Sequence, residues 1–496
     1  MDVVLGVDIG TSSSKGVLVS LDGDILADTS REHQADRPHA GHVEMDAGLW
    51  WSEFVGIARE LRAARPGDRV VAVGLSGMGP CVLLTDHDGN PVRPAILYGI
   101  DTRATMQIER LTAELGGADA IRAQCGSALS SQAVGPKLAW LADEEPQSLE
   151  RAERLFGPSS WLGWKLTGSY YLDHHSASQC TPLYDALGEN WFEPWVSVVA
   201  PWLKLPPLVW PSDVVGKVNR AAAKETGLPE GIPVIAGTID AWAEAVSVGA
   251  HGVGDLMLMY GTTMFLINTV PNQVTFPSLW GTQGAFRGSR NLAGGMATSG
   301  AITSWLRDLT QSQTFEELLE LAKDSGPGAR GLLMLPYFAG ERTPIADPDA
   351  RGTIIGLTLT HNRGDLYRAA LEATAFGIRH NIETMTEAGG QIDRIVAVGG
   401  GTKGQLWTQI VSDVLALPQA ITAKTVGASF GSAFLAAGAV SSPVIEDWNP
   451  VIDIVKPDSA LADHYDALYA LYRELYVATA EIAHTLAEFQ REKFGK

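Results

Sequence analysis

An α/β protein of two large domains is expected from three features of the sequence. The chain has 496 residues, more than one hydrophobic core of ordinary size holds. Apolar strand-like runs alternate with helix-like periodicity along most of its length, the pattern of a sheet covered by helices. One local design, an apolar strand, a Gly-Thr turn and a second apolar strand, occurs twice, as VVLGVDIG-TSSS-KGVLVSLDG and as DLMLMY-GTT-MFLINTV. The echo suggests two related halves, which we divide as residues 1–243 and 244–496, with the hinge between Asp240 and Asp255.

The first hairpin is closed by the dipeptide Asp22-Gly23, a strong turn signal. Further buried strands are expected at VVAVGLSG (residues 70–77), IPVIAGTID (232–240) and RIVAVGGG (394–401). A helical pattern runs from Leu366 to Met385. The Pro-rich stretch from Pro201 to Pro211 reads as a rigid surface connection. Ser459 to Phe494 reads as one long helix. Its apolar face would carry Leu468, Leu471, Tyr472, Leu475 and Tyr476, at the i, i+3, i+4, i+7, i+8 spacing of a stripe packed on a core.

Composition narrows the function. Apolar residues make up 45% and charged residues 19% of the chain, a normal globular mixture. A net charge of −20 argues against nucleic acid, which needs a Lys/Arg-rich face. The opening residues Met1-Asp2-Val3-Val4-Leu5-Gly6 read as a strand and not as a signal peptide. No run of about 18 apolar residues appears, so no membrane span is expected. Cys81, Cys125 and Cys180 are widely spaced, without a Cys-x-x-Cys metal pattern, and read as reduced thiols of a cytoplasmic protein.

The chemistry starts at Asp8. It ends an apolar strand and precedes Ile9-Gly10-Thr11-Ser12-Ser13-Ser14-Lys15. Glycine lets backbone approach phosphate oxygens, Thr and Ser hydroxyls donate to them, and Lys15 adds positive charge. A strand-end carboxylate can hold Mg²⁺ through water. The alternative is an ordinary hairpin whose turn Asp8 caps. The echo at Gly261-Thr262-Thr263 favours phosphate binding, one hydroxyl-bearing turn in each half. Asp240 follows the apolar strand PVIAGTI and can accept a proton from an attacking hydroxyl. It can equally cap the helix AWAEAVSVGA. The turn Gly399-Gly400-Gly401-Thr402-Lys403-Gly404 formally matches G-x-G-x-x-G, which raises an NAD-dependent dehydrogenase as an alternative. That reading requires an acid about 20 residues on for the ribose, and PQAITAKTVGASFG contains none. The glycines are read instead as close approach to an adenine or ribose.

These residues bring out a resemblance to the FGGY carbohydrate kinases, in their xylulose kinase-like branch. Its most specific part is GTIIGLTLTHNRGDLYRAALE, Gly352 to Glu372, which fits every position of the second family signature. The first signature fits in part. Lys137-Leu138-Ala139-Trp140-Leu141 and Asp143-Glu144 match, whereas Val134 stands where the family has Pro, Ser or Thr. The likeness runs from Val4 to about Gly438. It implies two ribonuclease-H-like domains of the hexokinase/actin/Hsp70 superfold around a central cleft. It also implies transfer of the γ-phosphoryl group of Mg-ATP to a hydroxyl of a small sugar or polyol, by a protein whose partners are ATP and that sugar. It leaves room for a homodimer.

Carried over by residue, the resemblance makes Asp8, Gly10, Thr11, Ser12 and Lys15 the first phosphate loop, with Asp8 at the metal. Gly261 and Thr262 are similar to the second loop. Gly300 and Ser304 stand at the nucleotide, Gly400, Gly401 and Gln405 at adenosine, and Asp240 at the catalytic base. The sugar segments depart from the family. Xylulose kinases show Gln-Met-His where this chain has Met78-Gly79-Pro80, which should leave a roomier, less polar pocket. The Trp-Asn-Asp-x-Arg segment is replaced by Tyr98-Gly99-Ile100-Asp101-Thr102-Arg103, one residue longer, with Asp101 and Arg103 as candidate hydroxyl ligands. A ketopentose of the xylulose or ribulose type, or a pentitol, is the expected substrate. An actin- or Hsp70-like nucleotide-binding protein without sugar kinase activity is the alternative within the same superfold.

Overall fold

A computed structural model describes residues 1–312 and 314–494, except the Phe494 side chain. The chain forms two compact units. The first holds Met1–His251, Val270–Asn291 and Lys424–Pro450, and the second holds Gly252–Thr269, Leu292–Ala423 and Val451–Lys496. Each unit is thus built from three stretches of the chain. Two later segments return to complete the first unit, and the helix in one of them supplies a missing layer.

The main sheet of the first unit runs in the order Val214–Lys217, Pro233–Ile235, Arg69–Gly77, Asp2–Ile9, Ser13–Ser20, Ile25–Glu32, with Thr238–Ile239 also paired to Arg69–Gly77. Every residue from Val3 to Ile9 is buried, as a central strand covered on both faces requires. One face receives the helix Ala47–Ala64, capped by Asp46, whose side chain accepts from Gly48 N. It buries Trp50, Phe54, Ile57 and Leu61 with Leu5, Val7 and Val73.

The other face receives the helix Ala428–Ala437, whose Phe430, Ala433 and Phe434 pack with Val4, Val17 and Ala72. Its backbone lies almost against the sheet. A Cβ at Gly6 would fall 2.0 Å from the Ser429 carbonyl oxygen, and one at Gly74 would fall 1.9 Å from that of Ser432. Only glycine fits at either place.

In the second unit the hairpin Asp255–Tyr260/Met264–Val270 sits beside Arg394–Val398, followed by Gln419–Thr422 and Val451–Val455, with Arg290–Met296 on the far side of the hairpin. Asp255–Tyr260 and Arg394–Val398 run parallel. The helix Arg363–Glu387 starts on a capping box, with Asn362 accepting from Gly364 N and Asp365 accepting from Asn362 N at 2.8 Å. The signature segment thus has a structural task here. Its Arg368 and Glu372 form a buried pair at 2.7 Å, and Glu372 also accepts from the Tyr465 hydroxyl at 3.0 Å.

The last helix spans Ala462–Phe494, after a short 3₁₀ turn at Ser459–Leu461. Its packed face differs from the expected one. Tyr465, Tyr469, Tyr472 and Leu475 are buried, whereas Leu471 is 52% exposed. The stripe is rotated because tyrosines, each with a polar tip to satisfy, supply its bulk. Tyr472 bonds Tyr337 at 2.8 Å.

Candidate active site

In the first unit, strand register sets the site. Asp8 lies opposite Ser76 on one side of the strand Arg69–Gly77, and Thr238 lies opposite Ser76 on its other side. The helix Asp240–Ser247 begins two residues beyond Thr238. Asp8 and Asp240 are thereby carried to the same end of two strands that flank Arg69–Gly77 in parallel. Asp8 Oδ1 accepts from the Ser76 hydroxyl at 2.8 Å. Asp240 Oδ1 accepts from Ala241 N at 2.7 Å.

A third carboxyl joins them. Glu244 stands four residues after Asp240, on the same helix face, next to Gly427 and hydrogen-bonded by Ala428 N. Sequence reading missed it, although the spacing in DAWAE was the available signal. Burial, and after it the charge of Asp240, holds the Asp8 carboxyl far above the ordinary carboxylate range; the Ser76 hydrogen bond opposes this. Burial also raises Asp240, against the pull of Ala241 N. Glu244 is pushed up to about 7 by burial and then by Asp240, with Lys15 opposing.

The hairpin turn after Asp8 is closed by Gly10 N donating to Ser13 O at 3.0 Å. Thr11 shares a 3.0 Å hydrogen bond with the Tyr98 hydroxyl, and Ser12 and Lys15 are exposed. Among the described residues, no group of three or more His, Cys, Asp or Glu could hold a metal ion by itself. A Mg²⁺ ion arriving with ATP keeps several waters and needs only one or two carboxylates. Asp8, a hard oxygen donor at a strand end, is one such carboxylate.

The segment Met78-Gly79-Pro80 continues from the strand end, with Met78 N donating to Ile9 O at 2.7 Å. It presents no polar side chain, and the pocket beneath it includes Met78, Pro80, Cys81, Phe156 and Ile239. The expected loss of polarity is seen, but the expected extra room at Gly79 is not. A Cβ there would lie 2.8 Å from Ile239 Cγ1, so Ile239 fills the space.

Asp101 is 0% exposed. It accepts from Val43 N at 2.6 Å and from Arg103 at 2.7 Å. Arg103 also reaches Glu44 at 2.7 Å and lies 4.9 Å from the Trp140 ring. The two residues are engaged with each other inside the unit. Cys81, Cys125 and Cys180 are buried and free.

In the second unit the turn Gly261-Thr262 is docked against the start of the helix Gly300–Leu309. Gly300 N donates to Gly261 O at 3.0 Å, and Ala301 N to Thr262 O at 3.1 Å. Gly261, Thr262, Gly300 and Ser304 are thus brought together. Ser299, which sequence reading passed over, is fully buried there and its hydroxyl has no partner among the described residues. Gly399 packs over Tyr260, the residue before Gly261, where its Cβ would meet the Tyr260 carbonyl oxygen at 2.6 Å. Gly400 faces open space, Gly401 lies against Tyr260 and Trp407, and Gln405 begins the helix Gln405–Leu415 on the exposed side.

Family models match nearly the whole of this arrangement. The N-terminal domain of the FGGY family of carbohydrate kinases matches residues 3–247 and its C-terminal domain matches residues 256–440. The chain belongs to the FGGY family of carbohydrate kinases. It is a sugar kinase that uses ATP, with the two-domain α/β fold of that family.

The xylulose kinase of Staphylococcus epidermidis is 28% identical over 499 residues, covering 98% of each chain. The glycerol kinase of Alkalilimnicola ehrlichii is 32% identical over 459 residues, covering 89% of this chain and 90% of that one. The crystal structure of xylulose kinase from Rhodospirillum rubrum is 31% identical, with a TM-score of 0.90 over 97% of this chain and 100% of that one. A dehydrogenase and a nucleotide-binding protein without sugar kinase activity find no support in these matches. No described helix is long and apolar enough to cross a membrane.

Proposed function

We propose that this FGGY kinase phosphorylates a hydroxyl of a ketopentose or pentitol, with Asp240 as the general base. The observation that carries the reading is the placement of Asp240. It stands at a strand end beside Asp8 and Glu244, with its carboxyl raised by burial and Ala241 N opposing the rise. A carboxylate of raised basicity is suited to accept the proton of an attacking hydroxyl.

Thr11, Ser12 and Lys15 donate to phosphate oxygens from the hairpin of the first unit, next to Gly10. Asp8 would hold Mg²⁺ through water, and the bound cation supplies neutralisation of phosphate charge. In the second unit Gly261 and Thr262 offer a turn amide and a hydroxyl to phosphate. Gly300, Ser304, Gly400, Gly401 and Gln405 form the shelf for the nucleoside. Met78 and Gly79 line the acceptor, while the Asp101–Arg103 pair holds the Tyr98–Thr102 segment in shape. Residues 1–243 thus serve mainly the sugar and 244–496 mainly the nucleotide, in a cytoplasmic enzyme.

The likeness to both xylulose and glycerol kinases supports a small polyhydroxylated acceptor. The test is ADP release measured over pentuloses, hexuloses and polyols. We expect a five-carbon acceptor to give the highest kcat/KM. A clear preference for glycerol or for a six-carbon sugar would overturn the substrate reading.

A further inference from the structure

The two segments of the first unit that meet the acceptor are tied together by one side chain, Gln132. Its Oε1 accepts from Gly99 N at 3.0 Å, and its Nε2 donates to Gly79 O at 3.3 Å. Nε2 also approaches Gln179 Oε1 at 3.5 Å. Gly79 in turn lies against Ile239, the residue before Asp240. One glycine therefore separates Gln132 from the residues that present the base.

A pocket opens on this side chain, with Ser130, Gln132, Gln179, Thr181, Thr282 and Trp280 in its lining. Its polar side chains are neutral hydroxyls and amides, which both donate and accept hydrogen bonds. Thr282 is 2% exposed, and its hydroxyl has no hydrogen-bond partner among the described residues. A buried hydroxyl left without a partner is costly unless something supplies one. The ammonium group of Lys137 is bonded to the Ser131 carbonyl at 2.6 Å and does not line the pocket. An anionic ligand would find no cation in this lining, and an apolar one would leave the Thr282 hydroxyl unpaired. A neutral polyhydroxylated chain answers both conditions, because each of its hydroxyls also donates and accepts.

We propose that this pocket receives the hydroxyls of the acceptor remote from the one phosphorylated, and that Gln132 and Thr282 set the preferred chain length. The proposal rests on the reading of Asp240 as the base. On this assignment a five-carbon acceptor held at Asp240 gains contacts with Gln132 that a three-carbon one lacks. A site built to bond a hydroxyl discriminates strongly against acceptors that lack it.

The experiment measures kcat/KM for glycerol, ribitol, xylitol, D-ribulose and D-xylulose in the wild type, Gln132→Met and Thr282→Val. The wild type should favour the best five-carbon acceptor over glycerol. In each variant that ratio should fall about tenfold or more, mainly through KM. Gln132→Met keeps the shape of the side chain but also breaks the tie to Gly79 and Gly99, and the ratio separates loss of the remote contact from a loss common to every acceptor. Thr282→Val removes only an unpaired hydroxyl and keeps the test open if Gln132→Met fails to fold. An unchanged ratio in both variants, or a wild type that prefers glycerol, overturns the proposal. If Asp240→Asn is inactive and the ratio is unchanged, the pocket assignment alone falls. If Asp240→Asn keeps full activity, the assignment of the base falls as well.

Discussion

Ser76 donates its hydroxyl to Asp8 Oδ1 at 2.8 Å, across the same register that pairs these two residues in parallel strands. The bond fixes one oxygen of Asp8 and partly offsets the cost of burying its charge. Burial first, and then the charge of Asp240, makes Asp8 and Glu244 hold their protons more tightly than isolated carboxyls, and burial does the same for Asp240.

Asp240→Asn should therefore remove activity while preserving the fold and nucleotide binding. Loss of a general base costs about 10²–10⁴-fold in kcat. The wild-type rate should rise with pH as the base loses its proton. That rise should lie above the ordinary Asp value of about 4, because burial raises the group. A pH–rate profile whose acid limb sits at or below that value, or near-wild-type turnover in Asp240→Asn, would contradict the assignment.

Lys15→Ala and Thr262→Val each remove a proposed donor to phosphate, one from each unit. Both should weaken ATP binding by about tenfold or more, the size of a charge-assisted hydrogen bond of roughly 1.5–3 kcal/mol. Affinity for the sugar should change less. Calorimetric titration with ATP checks this, and unchanged nucleotide affinity in both variants would refute the two phosphate loops.

Glu341 gives a test of stability. Its Oε1 accepts from Ala297 N at 2.6 Å and Arg342 N at 2.8 Å, while Oε2 is buried without a partner among the described residues. Burial pushes its carboxyl up to about 8 from an ordinary 4.5. Below pH 4.5 both folded and unfolded chains hold the proton, and the group costs nothing. Between that pH and about 8 the unfolded chain releases the proton first, so stability drains as pH rises. Glu341→Gln keeps the acceptor and cannot ionise. Its Tm advantage over the wild type should grow from pH 5 to pH 8, and a constant or shrinking difference would count against the buried neutral acid.

Pro80 carries the last prediction. It offers neither a donor side chain nor a backbone N–H where xylulose kinases have histidine. D-Xylulose should then not be clearly the best acceptor, and pentitols or other ketoses should match or exceed it. Pro80→His should shift the ratio of kcat/KM towards D-xylulose. A wild-type preference for D-xylulose, at about 10⁴ M⁻¹s⁻¹ or more, would show that another group supplies the missing contact.

Much of the candidate site stands out in the sequence because its carboxylates sit at strand ends. The run VVLGVDIG announces a buried strand, and a carboxylate closing such a strand needs a reason, which is why Asp8 and Asp240 stood out. The strands at Asp255–Tyr260 and Arg394–Val398 and the helix Arg363–Glu387 follow from local pattern in the same way. What stayed hidden depends on contacts distant in sequence. Ser76 is an unremarked serine until register sets it opposite Asp8. Gln132 gains meaning only when Gly79 and Gly99 converge on it. Asp101 and Arg103 look like ligands in a one-dimensional string. Folding buries them against each other, with Arg103 also held by Glu44 and set over the Trp140 ring.

The helix Ala428–Ala437 that seals the first sheet has a consequence for how the protein is made. During synthesis the strands Asp2–Ile9 and Arg69–Gly77 leave the ribosome more than 350 residues before that helix does. Domains commonly fold as they emerge, N-terminal first, at about 5–20 residues per second. Here the sheet bearing Asp8 must wait tens of seconds at those rates with Val4, Val17 and Ala72 uncovered. A nascent chain arrested before residue 428 should thus bind chaperones that capture apolar strands, and one arrested after the helix emerges should release them.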